Sequence, residues 1–133
     1  MSADPFHYHA PTEVTAPLYA AIREAEKACQ REIADIAVGS PQMRAAHHYL
    51  RVGYVEINEA TKAFYDAIEV HVPPGADKSA ALRCVRIARM AANDALSLYG
   101  ADRDRMRQCR DNLRAARWQA CAAVALHYAE KSE

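Results

Sequence analysis

The stretch Val72-Pro73-Pro74-Gly75 cannot continue a helix, yet it lies between two segments whose apolar residues recur every three or four positions. Proline lacks the amide that a helix needs, and it disfavours helical geometry in the residue before it. Upstream, Leu50, Gly53, Ile57, Ala60, Phe64 and Ala67 or Ile68 form one apolar stripe. Downstream, Ala81, Cys84 or Val85, Ala88, Ala92, Ala95 and Leu98 form another. The flanking segments repeat the pattern, through Leu18, Ile22, Ala25, Cys29, Ile33 and Ile36, and through Met106, Cys109, Leu113, Ala116, Ala120, Ala123 or Val124, and His127. This spacing is that of amphipathic helices, and no segment alternates apolar and polar residues as a strand does.

The sequence therefore predicts helices over residues 16–38, 41–70, 77–99 and 102–130, behind an N-terminal arm of residues 1–15. Thr12 or Thr15 caps the first, Gly39 ends it, and Ser40-Pro41 opens the second. Asp77 begins the third, Gly100 follows it, and Asp102 caps the fourth. Short connections favour antiparallel neighbours. The expected fold is one all-α domain, an elongated antiparallel bundle of about four helices. Helices of this length span up to about 45 Å, and thin bundles of such helices often complete their cores by oligomerising.

Composition excludes several alternatives. Half of the 133 residues are apolar and only four are glycine, which is globular usage. No apolar run is long enough for a membrane span, and the opening residues do not read as a signal peptide. Cys29, Cys84, Cys109 and Cys121 are widely spaced with no CxxC, as expected of reduced thiols in a cytoplasmic protein. His7 and His9 alternate with Tyr8 but have no third ligand nearby, and the adjacent His47 and His48 point about 100° apart on a helix. No metal site is expected. The chain has no GxSxG, no HExxH and no glycine cluster for phosphate, so neither an enzyme nor a cofactor is expected.

The remaining chemistry is basic. Net charge is zero, but residues 1–77 carry 6 basic and 11 acidic side chains, whereas residues 78–117 carry 10 basic and 4 acidic. Lys78, Arg83, Arg86 and Arg89 lie along the third predicted helix, and the last three climb one side at intervals of three. Their forks suit phosphate oxygens, and Asn93 offers both a donor and an acceptor. In the fourth segment, "DRDRMRQCR" alternates charges in the manner of surface ion pairs. Aromatics near the basic block are sparse, with only Tyr99 and Trp118, which argues against a nucleic-acid polymer as partner. "YAAIREAEKA" at Tyr19 recurs as "YVEINEATKA" at Tyr54. A shared helical composition or a duplicated segment explains the echo equally well.

The opening "FHYHAPT" followed by "LYAAIREAEK" resembles the start of small phage anti-defence proteins, the hairpin family of anti-CBASS and Thoeris sponges. Phe6, Tyr8, His9 and Pro11 fit that pattern, followed by Tyr19, Ile22 and Arg23. A second block fits through Ile68, Pro73, Asp77, Lys78, Ser79, Ala81, Leu82, Ala92, Asn93, Ala95 and Leu96. The resemblance covers residues 6–27 and 54–99. The chain departs from it at Ala91, where relatives often carry a bulky residue, at Arg86, where they often carry an acid, and in its additional helices. It implies a helical oligomer, dimer-based and up to a hexamer, that sequesters a cyclic nucleotide immune signal without cleaving it, in the cytoplasm of an infected bacterium. It implies a ligand site of Tyr8 in the arm, Arg23 in the first helix, and Lys78, Arg83 and Asn93 in the later hairpin. His9 joins the expected site as the neighbour that positions Tyr8, and Arg86 joins it from the arginine row, not from the resemblance. The alternative is a helical structural or adaptor protein of phage origin that binds a protein partner through its apolar stripes.

Overall fold

The structure is a computed structural model that describes residues 9–37, 47–97 and 103–132. Those residues form four α-helices and, among themselves, no strand: α1 (Thr15–Ala37), α2 (His47–His71), α3 (Ala76–Ser97) and α4 (Arg103–Ser132). The expected starts at Pro41 and Asp102, the break at Gly39, and Leu98 lie outside the described residues.

Local chemistry explains the ends that are described. Thr12 and Thr15 cap α1 together: the Thr12 amide donates to Thr15 Oγ1 at 2.8 Å, and the Thr15 amide donates to Thr12 Oγ1 at 3.1 Å. The Ala16 amide then donates to the Thr12 carbonyl at 2.9 Å. This is a reciprocal capping box with threonine in the place usually held by glutamate. At the other turn, Gly75 has a φ of 152°, a region that favours glycine. Its carbonyl accepts from the Ser79 amide at 3.1 Å and so opens α3.

The helices pack as a ring in chain order. The α3–α4 interface is the most extensive, α1–α2, α2–α3 and α1–α4 follow, and α1 and α3 barely touch across the diagonal. Neighbours run antiparallel. Tyr54 of α2 meets Ser97 of α3, while Glu69 meets Lys78 near the opposite end. Glu26 of α1 meets Arg117 of α4, and Ile33 lies in one groove with Met106 and Leu113.

The interior follows the stripes. Ile22, Cys29, Ile33, Ile57, Phe64, Ile68, Val85, Cys109, Leu113 and Val124 are buried, together with a row of alanines at Ala81, Ala88, Ala92, Ala95, Ala116 and Ala120. Alanine on facing positions lets backbones approach closely, which accounts for the extent of the α3–α4 interface. Glu26 interrupts this apolar interior. It is buried, accepts from Gln30 Nε2 at 3.0 Å, and receives Arg117 Nε in a short charged hydrogen bond. No described helix is long and apolar enough to cross a membrane.

Candidate functional site

The α2–α3 hairpin leaves a groove between its two helices. At one end Tyr54 Oη and Ser97 Oγ are 2.7 Å apart, and Ser97 donates to the Asn93 carbonyl at 3.0 Å. At the other end Lys78 Nζ donates to the Glu69 carbonyl at 3.1 Å, with the Glu69 carboxylate 3.9 Å away. Between these ties lies a cavity of about 440 Å³ lined by Asn58, Thr61, Lys62, Tyr65, Asp66, Val85, Arg86 and Arg89.

The polar groups of the groove differ in what they are bonded to. Thr61 turns its hydroxyl back to the Ile57 carbonyl at 2.8 Å, so it is satisfied within α2. Lys62 and Asp66 pair one helical turn apart at 2.7 Å. Arg86 and Arg89 are exposed, and neither forms an ion pair with a described residue. Tyr65 is half-buried beside them and packs partly on the core. Asn93 stands one turn beyond Arg89, and its side-chain oxygen is buried with no partner among the described residues. A buried acceptor left open costs roughly 1–3 kcal/mol, a cost that a donor from a ligand or water removes.

The residues singled out from the sequence divide among several places. Arg86 lines the α2–α3 groove, and Asn93 continues its helix edge toward Ser97. Lys78 is largely covered, and its ammonium meets the carbonyl and carboxylate of Glu69 near the end of α2. Arg83 is exposed outside the groove lining, where it opposes the upward effect of burial on the Cys84 thiol. Arg23 is exposed on α1 and acts in the same way on Cys121 of α4, so it belongs to the opposite seam of the ring. His9 is half-buried ahead of α1, and Tyr8 lies outside the described residues. Arg23 and Arg86 therefore do not converge within one chain.

Tyr65 and Asn58 come to the groove without a sequence signal of their own. They are found only by counting outward from the Pro73-Pro74 turn, which sets Tyr65 across from Arg86 and Lys62 across from Arg89. No group of three His, Cys, Asp or Glu side chains that could hold a metal exists among the described residues.

No family model matches the chain, and neither the curated proteins nor the solved structures contain a match.

Proposed function

We propose that the chain is a non-catalytic binding protein that sequesters a cyclic nucleotide signal in the α2–α3 groove. One observation carries this reading: two arginines with no ion-pair partner among the described residues share a groove with the Tyr65 ring. The guanidinium forks take phosphate oxygens, and the ring takes a base. Stacking of that kind contributes about 1–3 kcal/mol per base. Sequestration requires affinity and copy number only, so the reading asks for no catalytic group.

A thermal-shift panel of cyclic dinucleotides, cyclic trinucleotides and cyclic ADP-ribose isomers tests it. A ligand that binds only the folded chain, at 100 times its dissociation constant, adds about 2.7 kcal/mol and raises Tm by several degrees. Arg86→Gln with Arg89→Gln removes the shift while leaving the ligand-free Tm unchanged, because both side chains are exposed. The ligand is recovered chemically intact. A panel without any shift removes the sponge reading and leaves the helical adaptor, for which Val55, Val70 and Met90 are exposed apolar contacts.

A further inference from the structure

The seam between α1 and α4, across the ring from the α2–α3 groove, carries a second basic feature. Arg103, Arg107, Arg110 and Arg114 follow one another on α4 at spacings of four, three and four residues, and all are exposed. That spacing keeps them on one side of the helix. The first three line a single groove of about 370 Å³ whose floor includes Ile33, Met106 and Leu113. Four residues beyond Arg114 comes Trp118, which is 70% exposed. From Arg103 to Trp118 the row extends about 22 Å along the helix.

The alternating charges of this segment sort by face once the helix is formed. Arg105 turns toward α3, where it lies 4.0 Å from Asp94 and donates to Gln108 at 3.0 Å. Asp104 approaches Arg107 at 3.8 Å, a solvent-exposed pair that holds the arginine weakly. Arg103, Arg110 and Arg114 pair with no described acid. On the α1 side of the seam, the charge of Glu26 is already neutralised by Arg117. What faces outward is a row of four arginines ending in one indole, with the exposed Asp104 and Asp111 beside it.

The few aromatics near the basic block argue against a nucleic-acid polymer, but the folded helix sets the exposed Trp118 in line with the arginine row. On that geometry we propose that this face binds single-stranded nucleic acid independently of its sequence, with backbone phosphates along Arg103, Arg107, Arg110 and Arg114 and a base stacked on Trp118. Guanidinium groups spaced along one line suit a backbone that carries one charge per nucleotide. An exposed indole suits a base that is not already paired. A membrane surface would call for several large apolar side chains beside the cations. This face exposes Trp118 alone among the large apolar residues of α4.

The test is fluorescence anisotropy of labelled oligothymidylate and oligouridylate, about 20 nucleotides long, between about 50 and 200 mM KCl. Four phosphate contacts predict a slope of log K against log salt near −2.8, at about 0.7 per contact. Arg107→Gln with Arg110→Gln lowers the slope to about −1.4. Trp118→Ala weakens binding by about five- to 150-fold at an unchanged slope, as the loss of one stacked base requires. Arg86→Gln leaves binding unchanged, which separates this face from the α2–α3 groove. Equal affinity for both oligomers, or preference for one, supports the proposal and tells backbone reading from 2′-hydroxyl reading. If the first double variant unfolds, Arg103→Gln with Arg114→Gln provides the same slope test. No anisotropy change at about 50 mM salt overturns the proposal. So does an unchanged slope in a folded double variant, or binding to phosphatidylcholine–phosphatidylserine vesicles in place of the oligonucleotides.

Discussion

At Gly53, α2 is tightly packed against both of its neighbours. A Cβ built there would lie 2.6 Å from Leu96 Cδ2, 3.2 Å from Leu96 Cδ1 and 3.4 Å from Ile36 Cγ2. Leu96 is 3% exposed and Ile36 9%, so neither side chain can swing into solvent without opening the core. Two effects oppose each other in Gly53→Ala. Helix propensity favours alanine by about 1 kcal/mol, whereas overpacking a close-packed site costs roughly 1–3 kcal/mol. Overpacking wins because the nearest obstacle is a branched side chain in the interior. Gly53→Ala should lower the urea midpoint by the equivalent of about 1 kcal/mol, at an unchanged m-value. The paired variant Gly53→Ala with Leu96→Val should recover part of that loss by giving the new methyl group room. A rise in the midpoint for the single variant would show that Leu96 relaxes freely.

At the level of the helices, α1 and α4 are held by an unusual element for an alanine-rich bundle, the buried Glu26 with its Arg117 and Gln30 partners. Removing one member of a buried pair leaves a charge without compensation and costs about 3–5 kcal/mol. Arg117 is partly open to water, with 27% of its side chain exposed, so the lower end applies. Arg117→Met should therefore cost about 3 kcal/mol, whereas Glu26→Leu with Arg117→Met should fall near the parent, because an apolar pair of similar size replaces both charges. Chemical denaturation of the two variants checks this, and equal losses in both would show that the pair acts only through packing. The same element shows where a reading of the sequence stops. The spacing of Ile22, Cys29, Ile33 and Ile36 is local, and it was enough to lay out the helix and its buried face. Glu26 falls on that face by spacing, four residues after Ile22 and three before Cys29, but its partner is 91 residues away and nothing within α1 announces it. The α2–α3 groove behaves similarly. Arg86 and Arg89 are legible as a helical row, but Tyr65 joins them only after the Pro73-Pro74 turn folds the hairpin. Lys78 shows a second limit, since a cation at a helix start can also bond a carbonyl of the preceding helix, here that of Glu69.

Across the whole molecule, the buried thiols make stability depend on alkaline pH. Cys29 of α1 and Cys109 of α4 are each 2% exposed, and both belong to the one hydrophobic cluster that joins all four helices. Burial pushes the Cys29 thiol up from 9.0 to about 12, reinforced by Cys109, Glu32 and Glu26, and burial pushes Cys109 up to about 11. The direction follows from the cost of placing a thiolate in an apolar interior. In the unfolded chain both thiols ionise near 9, while in the folded chain they hold their protons. A raised folded value means that the stability is fully present below pH 9 and is lost as pH rises through 11 to 12. Each thiol then lowers the unfolding free energy by on the order of 1 kcal/mol per pH unit within that window. Tyrosines and lysines titrate over the same range, so the measurement is a difference: urea midpoints of the parent and of Cys29→Ala with Cys109→Ala, from pH 7 to about 10.5. The variant starts lower at pH 7, because two buried sulfur atoms are gone, and its midpoint should fall less steeply above pH 9. Cys84 and Cys121 are only half-buried, and their thiols are raised less, being opposed by Arg83 and by Arg117 with Arg23. Those two should react with a thiol reagent in the folded protein, while Cys29 and Cys109 react only as the bundle opens. Parallel pH profiles for parent and variant would show that the interior admits enough water to ionise the buried thiols, and the alkaline loss would then belong to the surface.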